Sequence, residues 1–129
     1  MKFCRSINKK NAVQNAMKLV RSSVKSVHMT MDMQGEIDSP LPKTYHNLIE
    51  QKAKQGIQMY RYTYGKKTLF NKIKSSYKGV KMYYCGTMNN YQRMLIIDKK
   101  IGMFGLNGNI YFTRFEPLIK SLLDYAKIK

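Results

Sequence analysis

Two nearly unbroken apolar runs, residues 92–97 (QRMLII) and 101–106 (IGMFGL), lie three residues apart late in the chain. Runs this short and this apolar read as buried strands rather than helices. The first, centred on Leu95, Ile96 and Ile97, reads as the core strand of a sheet. A strand with no polar face needs cover on both sides, so the rest of the chain must supply flanking strands and covering helices.

It supplies them in alternation. Residues 11–24 place Val13, Ala16, Met17, Val20 and Val24 on one helical face and Lys18, Arg21 and Lys25 on another, so an amphipathic helix is expected after a basic arm at residues 1–10. Residues 26–32 (SVHMTMD) alternate in the strand period, with Val27, Met29 and Met31 against His28, Thr30 and Asp32. Residues 34–41, which include Gly35, Asp38, Ser39 and Pro40, read as a loop. Pro42 suits the first position of a second helix, with Tyr45, Leu48, Ile49 and Ala53 as its stripe and Gly56 as its C-terminal cap. Residues 57–64 form the next strand, with Gln58, Tyr60, Tyr62 and Tyr64 alternating against Ile57, Met59, Arg61 and Thr63. Those tyrosines read as half-buried sheet residues, with base stacking as the functional alternative. A basic helix over 66–77, a strand over 80–85, a loop over 86–90 and a closing helix opened by Pro117 complete the series. The expected class is α/β, one domain over residues 1–129, with a mixed, mostly parallel sheet covered by helices on both faces.

The polar residues around the two apolar runs carry the functional signal. Tyr91 and Arg93 begin the first run, Asp98 follows it, and Gly105, Leu106, Asn107, Gly108 and Asn109 close the second. This pattern resembles the signature of the phospholipase D superfamily, which reads His-x-Lys, four residues, Asp, six residues, Gly-Ser-x-Asn. Asp98 and Gly105 match at the family spacing. Tyr91 stands at the nucleophilic His, Arg93 at the Lys, Leu106 at the Ser and Gly108 at the Asn, with Asn107 and Asn109 on either side.

The resemblance implies a single phospholipase D-like half-domain from about Ala12 onward. In active members two halves meet, each contributing one His and one Lys, and small nucleases of the family pair as homodimers. A lone half therefore implies a homodimer or pairing with a second such half. In that chemistry one His attacks phosphorus and the other protonates the leaving oxygen. A phenol with a pKa near ~10 is a poor nucleophile at neutral pH unless nearby positive charge stabilises its anion. Arg93 retains a planar, permanently charged grip on phosphate oxygens, and Asn107 and Asn109 are candidate neutral donors beside it. The plain alternative for Arg93 is a strand arginine paired with Asp98. His28, outside any motif, reads as structural unless the fold brings it beside Arg93, and His46 reads as an exposed surface residue.

A formal charge of +17, from 24 Lys and Arg against 7 Asp and Glu, points to polyanionic partners. Positions 1–31 and 51–97 contain no acid at all. Nucleic acid, DNA or RNA, is the first candidate partner and an anionic membrane surface the second. The leading expectation is a catalytically impaired phospholipase D-like domain that holds a nucleic-acid backbone in a basic cleft floored by Arg93. The alternative is an active phosphodiesterase or endonuclease working as a homodimer through Tyr91 or a displaced His28, and a third is a peripheral binder of anionic phospholipid. Cys4 and Cys85 lack CxxC or His-rich spacing, so the sequence offers no metal pattern, calls for no cofactor and reads as two free thiols. No stretch approaches the ~20 apolar residues of a membrane span, and the basic start lacks the apolar segment of a secretory signal. An intracellular, cytoplasmic protein is expected.

Overall fold

The apolar run at residues 94–97 does become the centre of the molecule. In the computed structural model, which describes residues 3–127, strand β5 (Met94–Ile97) is buried at every position and lies fourth of seven in a single sheet. The other strands are β1 (Arg5–Ile7), β2 (Ser26–Asp32), β3 (Gln58–Tyr64), β4 (Val80–Tyr84), β6 (Ile101–Leu106) and β7 (Asn109–Thr113). Their order across the sheet is β1-β7-β6-β5-β2-β3-β4. The helices are α1 (Ala12–Ser22), α2 (Met33–Asp38), α3 (Lys43–Lys54), α4 (Lys67–Ile73) and α5 (Glu116–Lys127).

The sheet is mixed, but it is not mostly parallel as the alternation implies. β2 runs parallel to β3, and β3 to β4, through helical crossovers. The pairings of β2 with β5, β5 with β6, β6 with β7 and β7 with β1 are antiparallel. The physical reason is loop length: β5, β6 and β7 are joined by turns too short for anything but hairpins, because a parallel neighbour needs a long crossover. Strand β7 itself is the element the sequence reading lacks. Asn107 (φ 52°) and Gly108 (φ 77°) both occupy the left-handed region, and Leu106 pairs with Asn109 across them. Asn-Gly is the preferred pair for such a type I′ hairpin turn.

Two further expectations change. The basic arm is in part an edge strand, with Arg5, Ser6 and Ile7 paired to Phe112, Tyr111 and Ile110, and the Arg5 guanidinium 4.8 Å from the Phe112 ring centre. Its first two residues lie outside the described region. The loop expected at 34–41 contains α2, because Asp32 Oδ1 accepts a hydrogen bond from Gly35 N at 2.9 Å and caps the helix while Met33 buries. An N-cap and one buried anchor outweigh the helix-breaking content of Gly35.

The strand period sorts the core into two layers. Val27, Met29, Met59, Leu95, Ile97, Met103 and Ile110 face α1 and α3, where they meet Val20, Tyr45 and Ile49. Tyr62, Tyr64, Met94, Ile96 and Phe104 face α5, where they meet Ile119, Leu123 and Ala126. Helices cover both faces, as expected. Cys4 and Cys85 are free thiols, and no helix among the described residues is long and apolar enough to cross a membrane.

The Asn107–Gly108 turn yields a direct test. Gly108→Ala places a Cβ at φ 77° and should cost about 1–2 kcal/mol, read as a lower Tm in thermal unfolding; an unchanged Tm would show that the turn is not under that constraint.

Candidate functional site

The motif residues separate to the two ends of β5, where they do different work. At the far end Asp98 (φ 55°) and Lys99 (φ 57°) turn the chain into β6 in a conformation unfavourable for side chains with a Cβ. The Asp98 carboxylate offsets that cost. Its Oδ1 accepts from Lys25 N at 2.7 Å and Ser26 N at 3.0 Å, and Val24 N lies 3.1 and 3.2 Å from its two oxygens. Asp98 N returns a bond to Ser26 O at 2.8 Å. Burial pushes the carboxyl pKa up, but the amides of Ser26, Lys25 and Val24 and the Lys100 charge outweigh it, and the pKa lies below its ordinary value. Asp98 is thus the clasp between the end of α1 and the β5–β6 turn. It is not the partner of Arg93, from which it is separated by the length of β5.

The near end of β5 is held just as firmly. Thr30 Oγ1 donates to Gln92 O at 2.7 Å and accepts from Met94 N at 2.9 Å, extending the β2–β5 pairing past its ladder. Gln92 Nε2 donates to Gly105 O at 2.6 Å and to Arg93 O at 3.0 Å, and Gly105 N donates to Arg93 O at 3.0 Å. A Cβ on Gly105 would sit 3.3 Å from Arg93 Cβ and 3.5 Å from its Cδ. Gly105 therefore leaves the space across which the Arg93 side chain lies. Thr30 and Gln92 are positioning residues that the sequence pattern did not single out, because a threonine in a strand carries no signal of its partner.

Arg93 is exposed and makes no ion pair or side-chain hydrogen bond among the described residues. It borders a cavity of about 350 Å³ at the carboxyl end of β2, beside the middle of β3 and beneath α1, α2 and α3, near the end of an α/β sheet where ligands commonly bind. The lining contains Asp32, Glu36, Tyr45, Arg61, Tyr91 and Arg93, with apolar walls from residues such as Met29, Leu95 and Met103. No lysine lines it. The expected basic cleft is therefore corrected: two arginines and two acids sit in a largely apolar chamber, and the lysine excess lies outside it. Burial pushes the Tyr45 phenol up while the Arg61 and Arg93 charges both pull it down and Glu36 adds to the rise. Both guanidiniums are thus within electrostatic reach of one phenol.

Tyr91 packs edge-on against Tyr64, ring centres 5.5 Å apart. Its pKa is raised, chiefly by burial; the Arg93 charge opposes the rise and Asp32 adds to it. The condition under which a phenol could attack, stabilisation of its anion by nearby positive charge, is not met, because desolvation outweighs one arginine. The phenol stays protonated at neutral pH. His28 does not approach Arg93. It is 3% exposed on the α5 side of the sheet, where Nδ1 lies 2.9 Å from Tyr62 Oη and its ring stacks on Tyr60 at 4.6 Å. Asn107 and Asn109 are exposed at the hairpin and do not line the cavity; the turn conformation accounts for Asn107. His46, expected on the surface, is half-buried, with Nε2 3.3 Å from Glu36 Oε2. Among the described residues no three metal-ligating side chains cluster.

A mixed seven-stranded sheet sandwiched by helices is a fold this chain shares with solved structures of phospholipase D family members. The chain is similar to Nuc of Salmonella typhimurium, a phospholipase D family member, at 12% identity over 96% of this chain and 90% of that one, with a TM-score of 0.67. It is similar to NucT of Helicobacter pylori at 18% identity over 96% and 91%, with a TM-score of 0.60. It also matches TrmBL2, an archaeal chromatin protein that binds DNA, at 10% identity and a TM-score of 0.70; 98% of this chain aligns, spanning about half (49%) of TrmBL2. No protein-family model and no curated protein sequence matches the chain.

The Asp98 clasp makes a prediction with a defined sign. Its folded pKa lies below its unfolded value of about 3.9, so its contribution is fully present above that unfolded value and is lost as pH falls through the folded one. Asp98→Asn should cost about 1–3 kcal/mol at neutral pH, and Tm measured from about pH 6 down to 2 should lose the clasp's share of the acid-side decline.

Proposed function

We propose that this chain binds the phosphate backbone of nucleic acid through a phospholipase D-like fold whose hydrolytic chemistry is impaired. One observation carries the reading: at the entrance to the motif cavity Arg93 presents an exposed, unpaired guanidinium, while the neighbouring phenol at the nucleophile position is held protonated. A guanidinium in that state grips phosphate oxygens without attacking them. The charge of +17 supplies the long-range attraction. Because the cavity has no lysine, the strand in this reading passes over its mouth and along the lysine-bearing exterior. The shared fold with TrmBL2, which binds DNA, supports the partner class. A homodimer, or pairing with a second half of the same kind, belongs to this reading, since each half carries one copy of the motif.

Contacts to phosphate position a strand without reading its bases, so affinity should be tolerant of sequence and steep in salt. The logarithm of the association constant should fall linearly with the logarithm of salt, with a slope of about −0.9 for each duplex phosphate neutralised. Arg93→Gln should make that slope shallower by roughly one. An affinity unchanged between about 50 and 200 mM salt would sink the reading. Flotation with anionic vesicles tests the lipid alternative, which requires binding that survives competing nucleic acid.

The competing activity, phosphodiester cleavage by Tyr91, is tested with plasmid and RNA. Wild type should leave both intact with or without chelator, and Tyr91→His should cleave them where the lost nucleophile is the missing part. Cleavage by the wild type would overturn the impairment.

A further inference from the structure

Arg61 is the part of the cavity that the motif does not account for. It lies mid-β3, 3% exposed, on the apolar side of the strand with Met59. Its Nη2 is 3.3 Å from Met29 Sδ and its guanidinium is 4.6 Å from the Tyr77 ring centre, while Nη1 has no hydrogen-bond partner among the described residues. Among the described residues no carboxylate forms an ion pair with it. Of the two acids in the same cavity, Glu36 accepts from Leu41 N at 3.0 Å and meets His46, and Asp32 accepts from Gly35 N at 2.9 Å. A permanent charge withdrawn from water onto a thioether and one aromatic face is costly, and an apolar side chain of similar volume fills such a place better. The arrangement is explained by an anion that arrives to complete it.

Arg93 lines the same cavity and is likewise unpaired. The register relates the two: Arg61 lies opposite Met29, Met29 opposite Leu95, and Arg93 two residues before Leu95. Two strand spacings, roughly 10 Å, and one two-residue step of about 7 Å separate their backbones, a gap that two long side chains close from opposite sides. Tyr45 and Tyr91 line the same cavity and add phenolic donors.

We propose that Arg61 and Arg93 form one clamp for a phosphomonoester carried on a nucleoside-sized body, Arg61 gripping from inside the cavity and Arg93 from its mouth. The inference rests on the reading of Arg93 as a phosphate contact and extends it inward. A monoester fits because its charge of about −1.5 to −2 near neutrality matches two fixed cations, and its oxygens accept forked bonds from both. The body fits because about 350 Å³ far exceeds one phosphate and falls within the range of roughly 300–1,000 Å³ typical of small-molecule sites. Met29, Leu95, Met103 and Ile110 give that body apolar walls. A continuous strand crossing the mouth reaches Arg93 alone; a strand end or a free mononucleotide reaches both.

The test is thermal unfolding of the full chain with a nucleoside 5′-monophosphate against the same concentration of unphosphorylated nucleoside, in enough salt to suppress surface binding. The monophosphate should raise the wild-type Tm and the nucleoside should not. Arg61→Met should fold and bind the monophosphate roughly tenfold or more weakly, while its affinity for a long, unphosphorylated oligonucleotide and its salt slope stay at the wild-type values. An equal Tm rise in wild type and Arg61→Met overturns the clamp and leaves the backbone reading standing. An Arg61-dependent rise without any oligonucleotide binding upholds the clamp and removes the backbone reading. Tighter binding of a 5′-phosphorylated oligonucleotide than of its 5′-hydroxyl twin identifies a strand end as the source; equal binding identifies a free mononucleotide. Should Arg61→Met not fold, the arginine Nε–H resonances of the wild type give the same answer: two should shift with monophosphate, and a shift confined to the one missing in Arg93→Gln overturns the proposal.

Discussion

The Asp98 carboxylate is the interaction on which the rest of the structure depends. Three consecutive amides, Val24, Lys25 and Ser26, converge on it where α1 gives way to β2. That clasp sets where β2 begins against β5, and because side chains alternate with period two, it decides which residues of both strands face which layer. With it in place Met29 and Leu95 lie on one side and His28 and Ile96 on the other. At the opposite end Thr30 performs the complementary task, joining Gln92 and Met94 to β2. The motif strand is therefore pinned at both ends to the same neighbour, and Arg93, in the segment just before β5, is held through its carbonyl by Gly105 N and Gln92 Nε2.

Electrostatically the molecule has two regimes. Among the described residues no lysine lines the motif cavity, and the lysines stand at the surface where water and salt screen them. Its cavity encloses Arg61 in a setting of low polarity, where a charge is felt strongly, while Arg93 stands exposed at the mouth. Desolvation governs the same space in another way: it keeps the phenols of Tyr45 and Tyr91 protonated despite nearby cations. Protonated phenols in such a chamber are suited to donating hydrogen bonds.

Much of the fold was legible in residue order. The period of SVHMTMD, the stripe of the first helix and the unbroken apolarity of MLII placed β2, α1 and β5 correctly, because burial of an alternating or continuous apolar face is a local property. β7 carries its signal in Asn107-Gly108, a pair that reads equally as polar donors and as a hairpin turn until the pairing of Leu106 with Asn109 decides for the turn. The antiparallel half of the sheet is less legible, since the pairings of β2 with β5 and of β1 with β7 join strands far apart in sequence. Arg61 was also visible in part. The strand period set it on the side of Ile57 and Met59, and an arginine in register with an apolar face is a buried cation that needs an explanation.

The sequence by itself determined the identity of the motif strand, the resemblance of the Asp98 and Gly105 spacing to the phospholipase D signature, the presence of Tyr rather than His at position 91 and the cationic excess. All of these depend on residue type and separation along one segment. Only the tertiary structure decided that Asp98 serves the α1–β2 junction and not Arg93, that His28 lies on the face away from the cavity, and that Arg61 shares a chamber with Arg93. Those facts join residues 32 to 74 positions apart, and such meetings are set by how strands order and pair in the sheet. No local pattern encodes that order.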